Sequence, residues 1–164
     1  YLKYIFLVCY IFLTLFIFIK AMENGEKSST SSDQVTDIVI GAIDGITPGD
    51  ESIADKFSLE DIKSFVRKAI GHFSLFLVMG IFSTLTYFLF IEKKLYSLII
   101  ILVVGILTAV ISELLQGLPG DRHPSFDDVL IDYVGYLIAF ILISAGIILG
   151  NKTKKGGKGE SQNI

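Results

Sequence analysis

Glu113, Gln116, Arg122, Asp128 and Asp132 share one stretch, TAVISELLQGLPGDRHPSFDDVLIDYVG (108–135), between two strongly apolar segments. Ionisable groups at the edge of hydrocarbon are costly unless paired, so they mark a working site. Glu113 is partly desolvated there, which suits it to general acid/base chemistry; the alternative is an ion pair with Arg122 or Lys68. Arg122 offers a planar fork for phosphate or carboxylate, or a salt bridge to Asp128. Asp128 serves as a base or, in the preferred reading, orients that arginine. Asp132 can share a proton with a neighbouring acid, as structural pairs also do. Gln116 reads as hydrogen-bonding support. Ser112 is a weak nucleophile candidate, with no nucleophile motif around it. A second polar group, Arg67, Lys68 and His72 in RKAIGHF (67–73), opens another apolar run. His72 reads as a proton shuttle or as a hydrogen-bonded interfacial residue.

Spacing places these residues on faces. Lys68 and His72 are four apart, Glu113 and Gln116 three apart, and Asp128 and Asp132 four apart, with Tyr136 one turn deeper. Three acids facing Arg67, Lys68, Arg122 and His72 would compensate one another. His72 and the acids are all metal-ligand types, but no short-spaced His/Cys signature accompanies them, so neither metal nor cofactor is expected.

The elements that must hold these groups are membrane helices. The 164 residues are 52% hydrophobic with a mean hydropathy of +0.65, a value soluble domains of this size rarely reach. Apolar runs at about 2–19, 69–91, 95–115 and 129–149 approach the roughly 20 residues that cross a bilayer. The expected fold is all-α and polytopic, with four spans. Gly80 and Gly105 fit close helix packing. Cys9, the single cysteine, reads as a small buried hydrophobe. The first run is expected to stay as an anchor, because its exit, IKAMENG, lacks a small-residue cleavage pattern.

Charge sets the expected orientation. Lys3, Lys93 with Lys94, and the lysines after residue 150 fall on one side of a four-span chain, which the positive-inside rule makes cytoplasmic. Both termini are then cytoplasmic, in a multi-pass bacterial membrane protein. The acidic segment 21–66 lies outside, and Arg67, Lys68, His72, Glu113, Gln116, Arg122, Asp128 and Asp132 all gather at the outer end. Lys20, Arg67 and Lys68 run against the bias; nearby acids and lipid phosphates compensate the last two. The domain plan is 1–20 as first anchor, 21–58 as acidic loop, 59–150 as a core with three spans, and 151–164 as basic tail.

Inside the loop, 24–34 (NGEKSSTSSDQ) reads as a flexible linker. Val35, Ile38, Val39, Ala42, Ile43 and Ile46 then fall on one helical face. Ser32 or Asp33 is the expected cap. This amphipathic helix, about 35–46, is expected on the outer membrane surface or against the spans. Pro48 and Gly49 end it. Ser58, with Asp61 three residues on, caps the next helix, which runs unbroken into span two.

The pattern resembles the VanZ-like family of bacterial membrane proteins. Three pieces carry the resemblance: RKAIGHF with Gly80 beyond it; SELLQ at 112–116; and Arg122, Ser125, Asp128-Val129 and Gly135 in that order. They cover about 67–139. Asp132 stands where the family commonly has Asn, and Phe76 where Tyr is common; Asp121 and His123 have no clear counterpart. The resemblance implies a cell-envelope role, mostly in Gram-positive bacteria, and its namesake is associated with reduced susceptibility to the glycopeptide teicoplanin. It supplies a setting and not a reaction.

Two functional readings stand. In the first, the pocket acts on an envelope lipid or lipid-linked sugar, with Glu113 as acid/base, His72 as proton relay and Arg122 with Lys68 as anion clamp. In the second, a non-catalytic protein sequesters an envelope lipid or a lipoglycopeptide, or limits its access. The expected partners are therefore membrane lipids or lipid-linked precursors, with no nucleic acid, because the basic groups are short helix flanks rather than a groove.

Overall fold

The computed structural model describes residues 1–46, 57–92 and 94–160, with the backbone alone for 94 and 151–160. The expected break at Pro48 and Gly49, the residue Lys93 and the side chains of the lysine tail lie outside the described residues. Among the described residues five helices follow in order: α1 (Leu2–Ala21), α2 (Gly25–Ile46), α3 (Leu59–Phe90), α4 (Lys94–Gln116) and α5 (Phe126–Glu160). Among the described residues there is no strand.

Four of these helices are long and apolar enough to cross a membrane: Leu2–Ala21, Leu59–Phe90, Leu95–Gln116 and Phe126–Gly150. The chain is a multi-pass, all-α membrane protein. α3 and α5 pack most extensively, α1 lies along α3 and α4, and α4 closes onto α5. Phe76, Met79, Ile101, Ala109 and Tyr136 form the centre. Leu2, Val8, Phe12 and Leu15 of α1 and Ile141 and Leu142 of α5 face outward, as apolar surface turned to lipid does.

Close approach of α3 and α5 rests on glycine. A Cβ at Gly80 would lie 2.8 Å from the Tyr136 carbonyl oxygen and 2.9 Å from the Ala139 Cβ. Gly105 on α4 leaves room for the Tyr136 ring, and Gly135 leaves room for the Phe73 carbonyl. The Tyr136 hydroxyl donates to the Ile101 carbonyl at 3.0 Å. Its one proton is thereby used, so Ser83 Oγ, 2.5 Å away, is the donor to the phenol oxygen.

The loop ahead of α3 departs from expectation. α2 starts at Gly25, ahead of the serine-rich stretch and not after it, so 25–34 is helix and not linker. The hydroxyls of Ser29 and Thr30 donate to the Glu26 carbonyl and that of Ser31 to the Lys27 carbonyl, which satisfies them within the helix. The cap is Asn24, whose Oδ1 accepts from Lys27 N at 3.1 Å, and not Ser32 or Asp33. Asp121 Oδ2 accepts from Gly25 N at 2.7 Å and ties this start to the α4–α5 loop. α2 turns Thr36 inward and leaves Ile38 and Ile46 exposed, so only part of the expected apolar face is covered. Lys63 of α3 bridges to Asp33 of α2 at 2.8 Å. Cys9 is half-buried rather than buried.

Ser58 caps α3 as expected, its Oγ accepting from Asp61 N at 3.1 Å. α3 runs on without interruption, but Arg67–Ser74 is wound as a π-helix. α5 continues past the span through Glu160.

Candidate functional site

His72, Glu113, Gln116, Asp128 and Asp132 are all buried and meet at one end of the four-helix group. α3 brings His72 from its π-wound segment. α4 brings Ser112, Glu113 and Gln116 from its last turn. α5 brings Asp128 and Asp132 from its first two turns. Gly135 explains the proximity: with no side chain there, the Phe73 backbone comes against α5. Asp132 lies one turn before Gly135 on the same face, and His72 precedes Phe73.

His72 Nδ1 lies 3.1 Å from Asp132 Oδ1, the closest contact of the cluster's charged groups. The same nitrogen is 3.8 Å from Glu113 Oε1, and Nε2 is 3.9 Å from Asp128 Oδ2. Ser112 Oγ lies 3.2 Å from the Ala109 carbonyl oxygen and 3.4 Å from Asp132 Oδ2. Glu113 Oε2 accepts from Ser125 N at 3.0 Å. Gln116 Nε2 donates to Glu113 Oε1, and Arg122 Nη2 donates to Gln116 Oε1. Asp128 N donates to Ser125 Oγ at 3.3 Å, so Ser125 caps α5 while its own N–H holds Glu113.

Two expected pairings change. Arg122 is bonded to Gln116, so Asp128 does not orient the arginine. Among the described residues, no ion pair within 4.0 Å joins Glu113, Asp128 or Asp132 to Arg67, Lys68 or Arg122; the ionisable group beside them is His72. Arg67 remains exposed, its charged head kept in water as long cationic side chains do.

A cavity of about 320 Å³ adjoins the cluster, lined by Lys20, Arg67, His72, Gln116, Arg122 and Asp132 among others. Lys68 is not among the lining residues. Lys20 is paired with Glu23 at 3.0 Å, and that ammonium's hydrogen bond holds the Glu23 carboxyl below the usual carboxylate range. Partial burial draws the Arg122 guanidinium below its ordinary pKa, against the pull of Glu113; an arginine remains charged nonetheless.

The sequence had flagged Ser125 and Gly135 only through the family resemblance, and gave Asp121 no role. Ser125-Phe-Asp-Asp128 is itself a helix-start pattern, and it was the available signal. His72, Glu113 and Asp128 each offer one ligand atom within 4.8 Å of the others. They are too far apart in the chain for a short-spaced motif to show this.

Residues 6–149 match the family model described as VanZ/LLP1. No curated protein and no solved structure matches the chain.

Proposed function

The chain belongs to the VanZ/LLP1 family, and on that premise we propose that it serves the bacterial cell envelope by taking an anionic head group of an envelope lipid or lipid-linked sugar into its polar pocket. The pocket opens on the outer side, both termini are cytoplasmic, and the protein lowers susceptibility to teicoplanin-type glycopeptides. The observation that carries the reading is the pocket itself. It combines Lys20, Arg67 and Arg122 with His72 and Asp132 beside long apolar helices. Cations at the edge of a membrane suit an anionic head group whose acyl chains stay in lipid. At about 320 Å³ the cavity is at the small end of ligand sites, which run to about 1,000 Å³. That favours a head group over a whole enclosed lipoglycopeptide.

In this reading Arg122, held by Gln116, fixes the anion, Arg67 adds charge at the rim, and the His72–Glu113–Asp128–Asp132 cluster carries the chemistry. Orientation follows the lysine bias: Lys3 lies in the first turn of α1 and Lys94 begins α4, at the end away from the pocket.

The test compares glycopeptide susceptibility of a deletion host carrying wild type or Glu113→Gln at matched membrane levels, with envelope lipids profiled by mass spectrometry. Protection and an altered lipid with wild type alone are expected. Equal protection by both would make the carboxylate structural. Protection by neither would break the link to this drug class.

A further inference from the structure

We propose that His72, Glu113 and Asp128 bind a divalent first-row transition cation of the Zn²⁺ or Mn²⁺ kind, with Asp132 fixing the histidine. The donor atoms lie within 4.8 Å of one another. His72 Nε2 lies 3.9 Å from Asp128 Oδ2, too long for a hydrogen bond, while Glu113 meets the ring from the Nδ1 side at 3.8 Å. Donors around one ion stand roughly 3 to 3.5 Å apart for bonds of about 2.1 Å, so the three side chains would draw together by several tenths of an ångström or more on binding.

Asp128 supplies the independent sign of a ligand. It is 7% exposed, and its buried Oδ1 has no hydrogen-bond partner. Buried carboxylate oxygens are normally satisfied, so an orphan one beside a ligand cluster points to a bound cation. Charge agrees. Three buried carboxylates face one imidazole, and among the described residues no lysine or arginine is paired with them. A doubly charged ion offsets that excess, which a neighbouring imidazolium alone does not.

The histidine is set as metal-binding histidines are. Nδ1 bonds to the Asp132 carboxylate at 3.1 Å, which leaves Nε2 free on the side of Asp128. The other ligands are held too, Glu113 by Ser125 N and Gln116, and Asp132 by Ser112. One imidazole with carboxylates selects borderline cations over Mg²⁺, which takes oxygen donors and water, and the absence of a thiolate disfavours soft Cu(I). Three protein donors leave an open coordination position; of the three, His72 lines the cavity, beside Asp132, while Glu113 and Asp128 lie behind its wall. The proposal deepens the head-group reading and rests on it for purpose: a phosphate entering the pocket would meet the ion. In that arrangement Glu113 and His72 act through the cation rather than as proton carriers. Binding itself needs no substrate.

The full chain, purified in detergent and stripped with a chelator, is titrated calorimetrically with Zn²⁺, Mn²⁺ and Mg²⁺ separately. One equivalent of Zn²⁺ or Mn²⁺ is expected to bind, with Mg²⁺ weaker, and to raise the unfolding midpoint. Asp128→Asn and Glu113→Gln should each weaken binding at least about tenfold. Asp37→Asn, an exposed acid on α2, should leave it unchanged. Should Glu113→Gln fail to fold, Asp128→Asn carries the test, because Oδ1 has no hydrogen bond to lose. The proposal is overturned if wild type takes up no single equivalent, if Asp128→Asn binds as wild type does, or if Asp37→Asn loses as much. Cation binding without any drug or lipid phenotype would leave the site standing and remove the envelope reading; the converse would remove the site alone.

Discussion

Gly80→Ala tests the packing that holds the site together. The added methyl would lie 2.8 Å from the Tyr136 carbonyl oxygen, 2.9 Å from the Ala139 Cβ and 3.2 Å from the Tyr136 Cα. Ordinary contact begins near 3.4 Å, so the shortfall at the carbonyl is about 0.6 Å. Two of the three neighbours are backbone and cannot swing aside. α3 and α5 must therefore separate, and overpacking of this kind costs about 1–3 kcal/mol. Alanine's better helix preference returns up to about 1 kcal/mol, so the net loss is about 0–2 kcal/mol, and the deficit relative to an unhindered glycine-to-alanine change is the full cost of about 1–3 kcal/mol. Gly146→Ala on α5 is the control: nothing lies within 4 Å of its Cβ position, so it should be neutral or slightly stabilising. Reversible unfolding in mixed micelles, followed by far-ultraviolet circular dichroism, measures both. If Gly80→Ala is as stable as Gly146→Ala, α3 and α5 do not touch at this level, and the reasoning about how His72 reaches Asp132 fails with it.

Two further outcomes can be checked directly. Tyr136→Phe removes the bonds to Ile101 and Ser83 and should cost about 1–2 kcal/mol; adding Ser83→Ala should cost less in that background than in wild type, as read by a double-mutant cycle. For orientation, in a Cys9→Ser background, Ser29→Cys should react with a membrane-impermeant maleimide in intact cells, and Glu92→Cys only after permeabilisation. The opposite pattern would put the pocket on the cytoplasmic side.

The spans were legible because hydrocarbon allows few alternatives: apolar runs of the right length become helices, and the run expected at 95–115 is Leu95–Gln116 in the structure. The gathering of polar residues at one end also followed from chain order, since consecutive spans are antiparallel. The pairings did not. Arg122 was matched to Asp128 by charge, but Gln116 takes it, a neutral partner whose claim depends on geometry across a loop. The helix at Gly25–Ile46 was half hidden because Ser29, Thr30 and Ser31 are linker-like in composition, yet bond to their own helix's carbonyls. The π-wound segment left no trace in the pattern, because its hydrogen-bond shift changes no residue type.

That segment, Arg67–Ser74, acts as a joint. A π turn takes in about one residue more than an α turn, and one residue corresponds to a rotation of about 100° along an α-helix. The stretch Leu59–Val66, bridged through Lys63 to Asp33 of α2, and the stretch Leu75–Phe90, packed through Gly80 on α5, are therefore not bound to one helical phase. α2 and Val66, which line one side of the cavity, and the bundle that holds the acids are set by separate helical phases, with His72 in the wide segment between them. Deleting one residue from that segment would keep every span and rotate Leu59–Val66 against the bundle.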